Sequence, residues 1–442
     1  MKLIPFCIGF FISFQFTFCQ TGFQFEDKND KVVIPFQLIN NLIFIPILVN
    51  GIELNFLLDT GVEETILLSL DDKTQVSFNN IKKIKLKGLG ASEAIEGLQS
   101  SGNVLYTNGF KDKDHELYIV LDQSFNFSSH VGIPVNGIIG YHFFKNYAVE
   151  INYDRKKIIV RKEISKISKK ISKKFQSIPL DIQENKPYCN TTVTIDKNNI
   201  EAKLLLDIGN SDAIWLFQNA NRNIKIPDKN FDDFLGKGFS GDIMGKRAKI
   251  SNFQFSIFSF KNPIVALPDT VSVKSISMIR GRVGSIGGEI CRRFNMIFDY
   301  PNQKLYLRKS GAFNESFTYN KSGITLENSG MQWVPETIKL ATTYQDNTFD
   351  NAGNRAGSSN FKYKFELKPI FSIANIRPKS PAEIVGLQPN DIIISINNTN
   401  STNVSLQKIN QLLRSEDDKW LTIEVDRKGQ ILKFRFLLKD LL

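Results

Sequence analysis

Asp59 closes the apolar run Phe56-Leu57-Leu58 and is followed by Thr60-Gly61. Asp207 closes Leu204-Leu205-Leu206 and is followed by Ile208-Gly209. An apolar strand that stops at Asp-x-Gly buries its body and raises a carboxylate at its end, and the glycine lets the chain turn sharply there. Two such carboxylates brought face to face cannot both ionise easily, so they share one proton. One can then take a proton from water while the other gives one to a carbonyl oxygen.

The two sites belong to a repeat. Asp59 and Asp207 stand 148 positions apart, and so do the glycine-rich segments GLGASEAIEG from Gly88 and GKGFSGDIMG from Gly236. A third block, GIIGYHFFKNYAVEINYDRKKIIVRK with Gly140, returns as GSIGGEICRRFNMIFDYPNQKLYLRK with Gly287, at an offset of 147. Three blocks on one offset predict two like domains, each of ordinary size. A pseudo-twofold axis between them would set Asp59 against Asp207.

The elements that must position these residues read as β. Phe44–Asn50 and Ile52–Leu58 form a hairpin about Asn50-Gly51, and Ala148–Tyr153 and Lys157–Arg161 form another. Asn295–Tyr300 and Lys304–Arg308 repeat the second hairpin. A short helix is predicted after each Ile-x-Gly, near His142–Asn146 and Glu289–Phe294.

These motifs resemble the pepsin/retropepsin-like aspartic protease superfamily. The matching residues are Phe56 to Gly61 with Ile138-Ile139-Gly140, and Leu204 to Gly209 with Ser285-Ile286-Gly287. The pattern is most similar to a bacterial secreted group with two retropepsin-sized lobes and a PDZ-type domain on one chain, and it covers most of residues 35 to 440. The resemblance implies two pseudo-symmetric acid-protease β-barrel lobes, with Asp59 and Asp207 catalytic and Thr60, Gly61, Gly209, Asn210 and Ser211 in support. It makes Gly88, Gly90 and Gly97, and Gly236, Gly238 and Gly245, parts of two flaps that close over an extended polypeptide. Family members carry Thr or Ser after each aspartate. Thr60 fits, but Ile208 cannot supply the second cross-lobe hydrogen bond, a loss of about 0.5–1.5 kcal/mol. Asn210 and Ser211 are placed to orient Asp207; Val62, after Gly61, offers Asp59 nothing comparable.

The C-terminal run SPAEIVGLQPNDIIISINN resembles a PDZ domain, a module that binds a peptide as an added strand beside a helix. The groove is expected between the helix at Leu406–Leu413 and a strand near either Phe371–Ile376 or Gly323–Leu326. No GLGF-like carboxylate loop is evident. The segment between, richest in Asn, Ser and Gly at 346–360, reads as a mobile insertion. Few contacts are expected between this domain and the lobes.

Composition narrows the function classes. Of 442 residues, 42% are hydrophobic and 23% charged, which excludes a mostly disordered chain. Only three histidines and four cysteines are present, with no CxxC pair, so no His/Cys zinc cluster is expected; the reading calls for no metal and no cofactor. Leu3–Phe18 is nearly all apolar after Lys2, and Thr17 and Cys19 suit the −3 and −1 positions of a signal-peptidase site. Cleavage before Gln20 would export the protein to the periplasm or the medium; an uncleaved anchor and lipidation at Cys19 are the alternatives. Without Lys2 the net charge falls from +11 to +10. The dense block RKEISKISKKISKK, Arg161–Lys174, carries Ile164, Ile167 and Ile171 at helical spacing and no aromatics, so it reads as a solvated connecting helix rather than a nucleic-acid site. Cys189 and Cys291 are expected as buried free thiols. There is no GxSxG elbow for a serine nucleophile.

The expected organisation is a signal peptide over 1–19, a first lobe over 20–160, a basic linker over 161–176, a second lobe over 177–312 and a PDZ-like domain over 313–442. The expected function is that of a monomeric aspartic endopeptidase acting on polypeptides, with peptide ligands for the PDZ-like groove and no nucleic acid. The alternative is a weak or inactive peptide-binding protein, because the second motif is Asp-Ile-Gly.

Overall fold

The computed structural model describes residues 22–442 except 27, 69–74, 87–94, 122–126, 166–167, 239–240, 274–278 and 340–360. The expected signal segment, Gly88 and Gly90 of the first flap and the 346–360 insertion therefore lie outside the described residues. The protein is mostly β, arranged in four sheets.

In the first sheet, Leu42–Val49 and Ile52–Leu58 form the predicted hairpin. Asn50 and Gly51 take φ of 48° and 91°, the left-handed pair that a tight two-residue turn needs. Ile52–Leu58 then pairs in parallel with Gly137–Ile139, which pairs antiparallel with Thr65–Leu67. The second half of the chain makes the corresponding pairings. Asn198–Leu206 runs parallel to Arg282–Ile286, which lies antiparallel to Ile214–Leu216. In each case the strand that ends in Asp-x-Gly is held in the middle of its sheet.

The two halves share a third sheet. Its centre is the antiparallel pair Ala148–Asn152 and Phe294–Asp299, in register from Ala148 opposite Asp299 to Ile151 opposite Met296. Both strands are buried along their length, and one apolar core runs continuously from Phe23 to Leu307. At about 25 cal/mol per Å² of apolar surface removed from water, such a core resists separation of the halves.

The basic connecting segment forms a helix only over Ser168–Lys174. Its apolar stripe is not solvated: Ile171 is buried against Ala148 and Ile297, beneath the shared sheet. Phe313 and Phe317, grouped with the C-terminal domain in sequence, pack against Phe258, Phe260 and Phe294 of the second half.

The fourth sheet holds Ile324–Lys339, Phe361–Ile376, Ile392–Ile396, Trp420–Arg427 and Gln430–Leu437, in that spatial order. Its first two strands form a sixteen-residue-per-strand hairpin that the polar composition of the region conceals. Helices Pro381–Ile384 and Leu406–Leu413 begin at Ser380 and Ser405, whose hydroxyls accept from Glu383 N and Lys408 N.

Candidate active site

Both aspartates are anchored first through their backbones. Asp59 N donates to Ile139 O and Asp207 N to Ile286 O, each at 2.9 Å, so each strand end is tied to the neighbouring parallel strand. The turn that follows folds back over that neighbour. A β-carbon on Gly140 would lie 2.2 Å from Val62 O, and one on Gly287 2.2 Å from Asp212 O. Only glycine fits where the two chains cross, which explains the Ile-x-Gly signature.

The carboxylates meet. They hydrogen-bond to one another, and a β-carbon placed on Gly61 would lie 3.1 Å from Oδ1 of both Asp59 and Asp207. Gly61 N donates to Asp59 Oδ1 at 2.6 Å, and Gly209 N donates to Asp207 Oδ1 at 3.1 Å. A β-carbon on Gly209 would strike the Asp59 carboxyl at 2.1 Å, so both glycines are sterically required.

Burial and the facing Asp207 charge hold the Asp59 carboxyl well above the usual carboxylate range. Burial also raises Asp207, but the Arg282 guanidinium, the Asp59 hydrogen bond and the Gly209 and Asn210 N–H groups all oppose it. Both carboxyls are thus held above the usual range, so the pair shares one proton, and the Arg282 guanidinium favours the negative charge on Asp207.

Thr60 is buried between the halves. Its hydroxyl donates to Leu206 O at 2.5 Å and accepts from Ile208 N at 3.1 Å. Ile208 is wholly buried in the shared core, so it contributes packing on its side. The supporting role expected of Asn210 is carried by its backbone; its side-chain oxygen accepts from Asp212 N at 2.9 Å. Ser211 lines the pocket, and its carbonyl accepts from Asn41 Nδ2 of the first half at 2.8 Å.

The aspartates sit at the base of a cavity of about 260 Å³ with mainly apolar walls, among them Leu42, Leu57, Phe127, Ile138, Trp215 and Phe217. Gly236 and Gly238 lie in the strand Asn230–Gly238, which pairs with Gly241–Lys249, the strand that carries Gly245. Leu235, Gly236, Lys237, Gly238 and Ile243 of this hairpin line the same cavity, as a flap would. In the first half Gly97 lies in the strand Ile95–Thr107, paired with Ile84 of Lys82–Leu86.

Sequence reasoning missed Arg282, which lines this cavity. Its only signal is position, five residues before Gly287, where the repeat offset of 147 places Val135 in the first half. It also missed Thr65, His115 and Asp112, a hydrogen-bonded chain with both links at 2.7 Å. All three are buried, so this chain braces the first sheet rather than meeting substrate. His142 stacks edge-on against His115, and burial and the His115 and Lys145 charges push it down to about 4. Cys189 and Cys291 are both buried free thiols.

The C-terminal region is docked against this site. In its sheet Phe361–Ile376 is paired on both sides, so the open edge beside helix Leu406–Leu413 belongs to Ile324–Lys339. That edge faces inward. Helix Phe127–Val131 of the first half packs on it, and Gln407 Nε2 donates to Val131 O at 2.9 Å. Further ties run to the second half: Lys249 Nζ to Asp440 Oδ2 at 2.8 Å, and the Arg377 guanidinium over the Phe231 ring at 4.2 Å. The expectation of few contacts at this boundary does not hold, because the polar segment leads into an interface rather than a linker.

Residues 372–427 match the family model of the PDZ domain. The structure adds Ile324–Lys339 to that module, as the strand bordering its groove. No curated protein matches the chain.

Proposed function

We propose that this protein is an exported aspartic endopeptidase whose PDZ domain regulates or recruits for the catalytic site. The observation that carries the reading is the half-buried pair: two carboxylates facing each other at matched strand ends, each with an oxygen 3.1 Å from the place of a β-carbon on Gly61, at the floor of an apolar cleft beneath a glycine-bearing hairpin. Such a pair, with one proton between its members, is built to activate water against an amide.

In this mechanism a water lies against both carboxylates, and an extended polypeptide enters under the hairpin Asn230–Lys249. Asp207, the anionic member, takes a proton from the water as its oxygen attacks the scissile carbonyl carbon. Asp59 gives its proton to the carbonyl oxygen. The tetrahedral diol then collapses: Asp207 gives its proton to the amide nitrogen, Asp59 takes a proton from a diol hydroxyl as the C–N bond breaks, and the pair is back to one shared proton beside the amine and acid products. Gly61 N and Gly209 N hold the two carboxylates in place throughout.

The test is incubation of the purified mature protein with an unfolded polypeptide over a pH range, with and without pepstatin. Pepstatin-sensitive cleavage supports the reading. Tight peptide binding without cleavage by the unaltered protein would instead favour a peptide-binding protein.

A further inference from the structure

Arg282 is 9% exposed, yet among the described residues no carboxylate lies within ion-pair distance of it. Its bonds go to neutral groups: Nε donates to Gly284 O at 3.2 Å and Nη2 to Ser285 Oγ at 3.1 Å. The guanidinium also lies over the Phe217 ring, 5.3 Å from its centroid. A guanidinium carries five N–H donors. Two neutral acceptors leave donors unused, and the nearest opposite charge, that of Asp207, lies beyond ion-pair distance, a costly state for a buried group.

The backbone delivers this side chain to the cleft. Pairing with Asn198–Leu206 runs Lys203 opposite Arg282 and then Leu204 opposite Gly284, so one residue is extruded as a bulge. Bulges beside active sites re-aim side chains. The corresponding pairing in the first half, Phe56–Leu58 with Gly137–Ile139, has no such slip. Arg282 therefore lies on the Asp207 side of the pair, in a cleft whose other walls include Leu57, Phe127, Ile138 and Trp215, with Lys237 on the hairpin.

We infer that Arg282 is a specificity-determining residue, which binds a carboxylate on the polypeptide seated in the cleft and so selects substrates with an acidic residue beside the scissile bond. This rests on the endopeptidase reading, and it adds a substrate class to that site. An anionic side chain would complete the guanidinium's hydrogen bonding, whereas a glutamine would leave the charge unpaired. The bonds to Gly284 and Ser285 fix the fork, so the preference belongs to one register of the bound chain.

The experiment uses the full chain carrying Asp59→Asn, which should bind peptides without cutting them. Fluorescent, C-terminally amidated apolar peptides carry a single Glu or Gln, moved along the peptide one position at a time. At one position Glu should bind at least about tenfold tighter than Gln, the discrimination that one charge-assisted bond provides. Adding Arg282→Met should level the pair, while Arg282→Lys should keep part of the preference. A peptide without Glu but with a free C-terminus is compared with its amide: a preference there that needs Arg282 makes the terminal carboxylate the one recognised. Equal binding of Glu and Gln at every position overturns the assignment, and that comparison needs no Arg282 variant to fold. A preference that survives Arg282→Met overturns it too. Failure of the endopeptidase reading looks different: the unaltered protein cuts no peptide, while the Arg282-dependent Glu preference persists in binding. A protein that binds none of these peptides overturns both.

Discussion

Thr60 clamps the second aspartate turn from the opposite half of the molecule: one hydroxyl donates to Leu206 O at 2.5 Å and accepts from Ile208 N at 3.1 Å. It thereby holds the residues on either side of Asp207. Thr60→Val keeps the shape but strands a buried N–H and a buried carbonyl. The expected cost is about 1–3 kcal/mol, read as a lower urea midpoint with unchanged slope, together with a fall in kcat. Thr60→Ser should restore both. Ile208→Thr exchanges core packing for a second clamp, so its net effect should stay within about 1 kcal/mol. A larger loss would show that Ile208 is needed as a packing residue.

Cleavage should depend on both carboxylates and on their shared proton. Asp59→Asn and Asp207→Asn are each expected to abolish activity. Because Asp59 lies well above the usual carboxylate range, activity should persist well above pH 4 and be lost as pH rises through that raised value. On the acid side it should fall as Asp207 takes up a proton. A pH–rate profile whose alkaline limb lies in the ordinary carboxylate range, near pH 4, would contradict a pair that shares one proton.

The same pair has a signature in stability. Both groups bind their protons more tightly folded than unfolded. Their contribution is therefore full below the unfolded value of about 3.9 and is lost as pH rises through the folded values. Asp59→Asn removes the ionisation while keeping a hydrogen-bond donor. It should melt above the unaltered protein at pH 8, and the gap should close towards pH 3.5. A gap that is constant with pH would show that the effect is not one of ionisation.

Removal of the C-terminal domain should damage the rest of the molecule. A chain ending at Lys309 loses Phe313 and Phe317, and it strands buried Arg293, which donates to the carbonyls of Phe313 and Glu315. It should melt lower than a chain ending at Thr318. Both should cut even a short peptide more slowly, because helix Phe127–Val131 loses its support at Gln407 while Phe127 lines the cleft. Gln407→Ala in the full chain tests that link alone, with a smaller fall expected. Unchanged rates on short peptides in all three would limit the domain to recruitment.

Much of the local structure was legible because it is written in short-range pattern. The Asn50-Gly51 turn, the hairpin strands near 148–161 and 294–309, and the short helices after Gly140 and Gly287 all follow from periodicity and turn chemistry. The long hairpin Ile324–Lys339 and Phe361–Ile376 was not, because its strands carry polar residues and exposed Trp333 and Phe365 instead of a clean alternation. Ile171 was misread for a related reason: lysines surround it in sequence, but the side that bears it lies against the shared sheet.

By itself the sequence singled out the candidate residues. Asp59 and Asp207 recur with their glycines at the ends of like apolar runs, and a strand that must end in a sharp turn admits few other residues. It also determined the PDZ domain, whose turn, helix start and buried strand are contiguous. Tertiary structure alone decided how the aspartates differ. Arg282 reaches the Asp207 side through a bulge, which hydrophobic pattern does not reveal, because register depends on which strand lies alongside. It alone decided, too, that strand Ile324–Lys339 and helix Leu406–Leu413 face Phe127–Val131. That contact joins segments nearly three hundred residues apart, and it comes from two buried surfaces closing on each other, not from any motif in either.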